Sequence, residues 1–353
     1  MKILYGVQAT GNGHISRSRE VVRNLKDLGH EVDVILSGRD PAGLWGIEIF
    51  QPFTVYRGLT FATSRGRMRY FKTALDLNLF EFYRDIRRFN ASAYDLVITD
   101  FEPLSSRIAS RAGLTCIGIA HQYAFLHDIP RSKANPVARS VLRTFAPADH
   151  PIGLHWHHFG QPILPPIIPA TLRGVRRTRP NKILVYLPFE DPSDFMPLLL
   201  QLTDHEFYVY AQWSDASDSG HLHLRPLSRE AFLEDLVESN GVMTNAGFEL
   251  VSEALYLGKR VLVKPLKNQL EQESNAMALA ELGLGTAVSR LRAEAVAQWL
   301  NSPPIPPIAY PDVARILAEW ITSRKWHDVA GLSEESWRGV CKSFNALVSN
   351  PIH

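Results

Sequence analysis

Short apolar runs, each closed by a small or polar turn and followed by residues at helical spacing, recur along this 353-residue chain. A strand buried on both faces needs a near-continuous apolar run, and parallel strands need a helix to carry the chain back. The repeated pair therefore predicts a doubly wound α/β fold. Residues 3–7 (ILYGV) open the pattern, and a glycine-rich loop interrupts it. Val21, Val22, Leu25 and Leu28 then give one apolar helical face that stops at Gly29. Residues 32–36 (VDVIL), 96–99 (LVIT) and 116–120 (CIGIA) are the next strands, the last two separated by a helix-like stretch.

Between 160 and 180 the periodicity stops. Pro162, Pro165, Pro166 and Pro169 lead into Arg173, Arg176, Arg177 and Arg179, with Lys182 just beyond, which reads as an interdomain linker over 161–180. The pattern then restarts with strands at 183–187, 207–210, 241–244 and 261–263 and helices at 229–238, 248–257 and 270–282. A proline-rich loop at 303–307 precedes two last helices near 312–322 and 334–348. The expectation is two Rossmann-like domains, 1–160 and 181–330, facing each other across a cleft. In such sheets ligands sit beyond the carboxyl ends of the strands.

Composition narrows the class. With 45% hydrophobic and 21% charged residues the chain reads as soluble and globular, and no run approaches the roughly 20 apolar residues of a membrane helix. The opening apolar run is too short for a signal peptide. Two cysteines, Cys116 and Cys341, suit a reducing compartment and supply no disulfide or metal framework. A cytoplasmic protein is expected. The first 160 residues carry a net charge of +6 and the remainder −4. That asymmetry suits an acidic acceptor or an anionic membrane surface, and equally ordinary surface charge. No nucleic-acid motif is present, so no nucleic-acid partner is expected.

The chemistry concentrates in two places. Residues 244–254 (TNAGFELVSEA) place a strand end, a glycine turn and a helix start in succession. The first amides of such a helix lack internal partners and suit a diphosphate. Glu253, one turn in, could accept hydrogen bonds from the vicinal hydroxyls of a ribose, or be an exposed side chain of a plain strand–loop–helix unit. Pro265 and then residues 271–276 (EQESNA) follow. With these two segments the chain resembles the donor-binding half of GT-B glycosyltransferases, among them the plant-type UDP-glycosyltransferases and MurG, the GlcNAc transferase of peptidoglycan synthesis. The T-H-C-G-W-N-S-x-x-E-A pattern of the UDP-glycosyltransferases aligns with 244–254 without a gap, and its later P…D-Q-x-x-N-A aligns with Pro265 and 271–276.

The resemblance implies roles for matched positions. Asn245 stands where the relatives carry a phosphate-contacting histidine; it can donate a hydrogen bond but brings no charge. Gly247, Phe248, Glu249 and Leu250 would offer backbone amides to the phosphates, Glu253 would hold the ribose, and Glu271 and Gln272 would contact the donor sugar. Asn275 would brace its helix or reach the nucleotide. One departure stands out: residues 187–190 (LPFE) replace the Gly-Gly-Ser loop of MurG, removing its glycines and adding a carboxylate.

In the first domain, Thr10, Gly11, Asn12, Gly13 and His14 resemble the opening loop of MurG, and Gly160-Gln161-Pro162 resembles the Gly-x-Pro that closes its first domain. Glycines let the backbone approach a ligand closely, and Gly11, Asn12 and Gly13 are assigned to the acceptor. His14 is the expected general base, with a loop-filling role as the alternative. Asp100 would orient His14, act as the base itself, or cap the helix near Pro103. His121 and Gln122 are assigned to acceptor contact. His155, His157 and His158 have no carboxylate or Cys at ligand spacing, so neither a metal nor another cofactor is expected. Residues 65–72 (RGRMRYFK) mix basic and aromatic side chains, suited to lipid headgroups at the inner face of the membrane or to a solvated loop.

Taken whole, the resemblance implies an inverting transfer of a sugar from a nucleotide diphosphate, UDP by preference, to a hydroxyl on a small-molecule, glycan or lipid-linked acceptor. It also implies that the C-terminal segment 331–353 crosses back onto the first domain. A nucleotide-sugar 2-epimerase of the same fold and a non-catalytic nucleotide-sugar-binding protein remain as alternatives.

Overall fold

A computed structural model describes residues 1–38, 44, 46–59, 63–64, 67–68, 79–132, 140 and 142–340. The first half builds on β1 (Lys2–Gln8), β2 (Glu31–Ser37), β3 (Phe53–Tyr56), β4 (Leu96–Asp100), β5 (Cys116–Ala120) and β6 (His150–Gly153). All pair in parallel, in the order β3-β2-β1-β4-β5-β6, with Ile3 opposite both Val32 and Leu96. Among the described residues its helices include α1 (Asn12–Asp27), α2 (Leu79–Arg88) and α3 (Pro103–Ala112).

The second half repeats the plan. Its strands are β7 (Lys182–Tyr186), β8 (Glu206–Ala211), β9 (Ser217–Ser219), β10 (Leu222–Pro226), β11 (Gly241–Thr244), β12 (Arg260–Val263) and β13 (Thr286–Ala287). The sheet order is β9-β10-β8-β7-β11-β12-β13, parallel except for β9 at its edge. Helices α4 (Pro192–Leu199), α5 (Arg229–Glu238), α6 (Phe248–Leu257), α7 (Leu270–Glu281) and α8 (Ala293–Leu300) cover it. Setting β9 aside, both sheets follow the 3-2-1-4-5-6 order of a doubly wound fold. Strand order reverses between β1 and β4, and again between β7 and β11. At these two points the loops diverge and open a crevice.

Where the sequence is locally emphatic, elements and expectation coincide: α5 and α6 span 229–238 and 248–257. The strands it did not announce lie at the sheet edges, except β10, whose residues after Leu222 are only partly buried. β3 exposes both central residues and β9 is exposed throughout, so neither carries an apolar run to read.

The proline-rich segment after residue 160 is not a loose tether. Ile163, Leu164, Ile167, Ile168 and Leu172 are almost wholly buried. Two further helices, α9 (Val313–Ser323) and α10 (Val329–Trp337), follow the second sheet. α9 packs along α1 of the first half, where His30 Nε2 lies 2.8 Å from Thr322 Oγ1. α10 donates to the Ile163 carbonyl from Ser333 Oγ (2.9 Å) and Trp337 Nε1 (2.6 Å). A single apolar cluster accordingly runs from Ile3 through Trp156 and Phe248 to Trp337 and fastens the halves together. Residues 341–353, with Cys341 and the end of the expected last helix, lie outside the described residues, as do all but Arg67 and Met68 of the basic-aromatic run. No helix among the described residues is long and apolar enough to cross a membrane.

Candidate active site

The cleft is built where the two switch points face each other. From the first half, β1 runs into Gly11, Asn12 and Gly13, and α1 starts with Gly11 as its cap. His14 therefore projects from the first turn of α1. β4 ends at Asp100, and the next residue, Phe101, takes a left-handed backbone with φ of 50°. That kink turns Asp100 toward α1 and leaves Glu102 to cap α3, its side chain accepting from Leu104 and Ser105 amides. Asp100 is thus not the cap.

Asp100 is fully buried. Its Oδ1 is 3.0 Å from His14 Nδ1, its Oδ2 accepts from Ser18 Oγ at 2.8 Å, and Arg17 grips both oxygens from Nε (3.0 Å each) and Nη2 (2.5 Å to Oδ1). Burial pushes the carboxyl up, but the charged neighbours, Arg17 foremost, outweigh it and hold it below the ordinary carboxylate range. A carboxylate with no exposed surface and this many donors cannot meet an acceptor hydroxyl itself. It stands behind His14, whose side chain keeps 15% of its surface exposed.

Arg17 was not singled out from the sequence, yet it is the centre of the cleft. Its other branch, Nη1, reaches Glu249 Oε1 on α6 of the opposite half at 2.6 Å. Burial disfavours the guanidinium charge, and Asp100 and Glu249 outweigh that, so its pKa lies above the ordinary arginine value. One signal existed: Arg17 lies one turn after His14, on nearly the same face of α1.

From the second half, α6 begins with Gly247 as its cap and no side chain closing its first turn. Glu249 and Leu250 of that turn line the cleft. Gly13 lets the backbone of the other half come close: a Cβ there would lie 2.8 Å from Glu249 Cγ. Asn12, Gly13 and Ser16 share a cavity of about 130 Å³ with Tyr186, Tyr210, Phe232, Arg229, Leu250 and Glu253. Asn12 and Gly13, expected on the acceptor side, therefore line the same space as Glu253. The Asn12 Oδ1 atom is buried without a partner among the described residues.

The remaining expected residues divide. Gln122 donates to Glu271 Oε2 at 3.0 Å across the cleft, with its own Oε1 buried and unpartnered among the described residues. Gln272 accepts from the Leu266 amide, which leaves its amide nitrogen for a ligand. Asn275 braces the α6 turn by donating to the Ala246 carbonyl at 2.9 Å. Asn245, expected to face a phosphate, spends its amide nitrogen on the Lys264 carbonyl (2.9 Å) and Glu190 (3.2 Å). Glu190, the carboxylate of the altered loop, is neutralised by Lys264 at 2.5 Å.

His121 requires a correction. It is fully buried, its ring stacked on Phe248 at 4.0 Å, with Nδ1 2.7 Å from the Leu154 carbonyl and Nε2 2.7 Å from Asn275 Oδ1. The ring bridges the two halves and is closed to an acceptor. His155, His157 and His158 each accept a backbone amide in the turn that follows β6. Among the described residues no group of three His, Cys, Asp or Glu is arranged to hold a metal ion.

Two acids in this cleft have unusual protonation. Burial pushes Glu249 up to about 7, against the pull of Arg17, and pushes Glu253 up to about 8, helped by Glu249. The folded chain then holds protons that the unfolded chain releases near 4.5. Such protonation favours folding at low pH, and the advantage disappears as pH rises through these raised values. Between pH 6.5 and 8.5, Glu253→Gln is expected to gain stability over wild type, the titration of the histidines being common to both proteins. The gain should be on the order of a few kcal/mol by the upper pH. Denaturant melts of both proteins at these pH values check this, and parallel curves would show that Glu253 is ionised throughout.

A profile of glycosyl transferase family 1 matches residues 1–304. No curated protein matches the sequence. Among solved structures, the glycotransferase of kitacinnamycin superposes with a TM-score of 0.61 at 15% identity, covering 99% of this chain and 98% of the other. MurG of Acinetobacter baumannii gives 0.52 at 14% identity over 98% and 99% of the two chains. The spinosyn rhamnosyltransferase SpnG, complexed with thymidine diphosphate, gives 0.56 at 13% identity over 96% of each. Identities this low speak to the shared GT-B fold, while the family profile spans most of the chain. The chain therefore belongs to glycosyl transferase family 1 and is a glycosyltransferase of the GT-B type.

Proposed function

We propose that the protein transfers a sugar from a pyrimidine nucleoside diphosphate, with UDP the expected carrier, to a hydroxyl acceptor with inversion at the anomeric carbon. The observation that carries this reading is the convergence of two groups on one cleft. The His14–Asp100 pair comes from the half over residues 1–160, and the Glu253 cavity with the uncapped start of α6 comes from the half over 181–330.

The nucleoside occupies the cavity, its base against Tyr186, Tyr210 and Phe232 and its ribose on Glu253. A protonated Glu253 both donates to and accepts from a hydroxyl. The diphosphate meets the amides of Phe248, Glu249 and Leu250, which stabilise the negative charge that grows as the bond from the anomeric carbon to the phosphate oxygen breaks. Glu271 and Gln272 hold the sugar. His14 takes the acceptor proton on Nε2 while the acceptor oxygen bonds to the opposite face of the anomeric carbon. Asp100 keeps the imidazole oriented through Nδ1 and stabilises the imidazolium that forms.

A thermal-shift panel of UDP, TDP, GDP and ADP and their sugars, run on wild type and Glu253→Ala, tests the reading. TDP is included because SpnG was solved with it. A selective ligand at 100 times its Kd adds about 2.7 kcal/mol, which raises Tm by several degrees. One pyrimidine diphosphate is expected to do so in wild type and not in the variant. No shift from any nucleotide at millimolar concentration would overturn the donor assignment.

A further inference from the structure

A diphosphate brought to the start of α6 carries negative charge into a buried cleft, and amides alone answer it only in part. The Lys264 ammonium is committed to Glu190, and the Asn245 amide nitrogen to Glu190 and a carbonyl. Arg229 begins α5 and stands near Glu253 at the ribose end of the cavity. The cation already against the first turn of α6 is Arg17, reaching over from the other half to Glu249.

The same guanidinium makes a second, chemically restrictive contact. His14 Nδ1 has Arg17 Nη2 at 2.6 Å and Asp100 Oδ1 at 3.0 Å. A guanidinium only donates and a carboxylate only accepts, so Nδ1 can satisfy one of these two neighbours; Nη2 stands the closer by 0.4 Å, too near for a hydrogen on both nitrogens, and Nδ1 therefore carries a lone pair. The proton of a neutral ring is then on Nε2, and a protonated Nε2 cannot take the acceptor proton. The base-competent tautomer, with Nδ1–H donating to Asp100, requires Nη2 to leave, because two hydrogens cannot share that gap.

We propose that Arg17 is the donor-sensing positioning residue of this cleft. Without donor it holds His14 in the inactive tautomer. A diphosphate at the first turn of α6 draws the guanidinium away, Nδ1–H then bonds Asp100, and Nε2 is bared for the acceptor. The ring keeps one proton throughout, exchanged between its nitrogens through water. Asp100, still held by Ser18 Oγ, gains the imidazole N–H in place of Nη2. The enzyme thereby binds donor before it can activate an acceptor. The inference rests on the donor site proposed above and adds the residue that reads its phosphates.

The test uses wild-type protein with ¹⁵N-labelled histidine, the His14 signals being identified by their loss in His14→Gln. Two-bond proton–nitrogen couplings report which ring nitrogen is protonated. The expected result is Nε2–H in free protein and with uridine, and Nδ1–H with UDP (or TDP, whichever the panel selects). One tautomer in all three states overturns the proposal. Calorimetric titrations give a second, independent reading. Arg17→Gln is expected to weaken UDP binding roughly ten- to hundredfold while leaving uridine unchanged, as loss of a charge-assisted contact implies, with Arg17→Lys between. Equal losses for both ligands would make Arg17 structural and overturn the proposal with the donor site intact. A wild type that binds neither diphosphate overturns the donor site itself, and this inference with it. Should Arg17→Gln not fold, the tautomer measurement on wild type still decides.

Discussion

His14→Ala is expected to lower kcat by roughly 100- to 10,000-fold while leaving donor affinity within a factor of about two, the usual range for loss of a general base. The separation of effects follows from placement. His14 projects from the first turn of α1, while the nucleoside cavity is lined by its neighbours Asn12, Gly13 and Ser16 and by the second half. Initial rates measured with the selected donor, beside calorimetric binding of UDP, check both parts. A variant that retains more than a tenth of wild-type kcat would remove His14 from the role. Asp100 is fully buried, so it could not take over, and a base would then have to be sought elsewhere on the rim of the cleft.

Asp100→Asn carries the second large effect, this time on stability. The carboxylate is the main counter-charge of a buried guanidinium, gripped through Nε and Nη2 of Arg17. The amide that replaces it presents an NH₂ group to those donors. Breaking a buried pair by removing one member costs about 3–5 kcal/mol, because the surviving charge is left uncompensated. Glu249, which burial keeps partly protonated near neutral pH, can offset only part of this. Denaturant melts of the single variant should show that loss, and the double variant Asp100→Asn with Arg17→Gln should recover much of it, since no buried charge is stranded. Activity is not expected to recover, as His14 has lost its orienting carboxylate. A single variant within about 1 kcal/mol of wild type would mean that water or movement of Arg17 relieves the charge.

The elements of this fold were legible because each leaves a local mark. A strand central to a parallel sheet must be apolar along its length, and a helix packed on it must be apolar every three to four residues. Thus residues 3–7, 96–99 and 241–244 and the helices at 229–238 and 248–257 could be read one at a time. The short edge strands over 53–56 and 217–219 were not, since a strand paired on one side need not be apolar. The same limit hid the packing of residues 163–172. Its isoleucines and leucines are scattered among prolines, so they show no period even though both halves of the molecule cover them.

The candidate site divides along the same line. That His14 and Asp100 each follow a strand, and that Glu253 lies one turn into a helix after a glycine, is written in the order of residues. Their convergence follows from the 3-2-1-4-5-6 strand order, which brings the ends of β1 and β4 side by side. The docking of the two halves decided the rest. It joined Arg17 to Glu249, 232 positions apart, and closed His121 against Phe248. It also turned two glutamates into buried acids that hold their protons near neutral pH. Sequence alone determined the central strands, the helices that cover them and the rim on which the chemistry sits, because these depend on neighbours along the chain. Protonation, burial and the contacts of Arg17 depend on surfaces brought together from distant parts of the chain, and only the tertiary structure sets those.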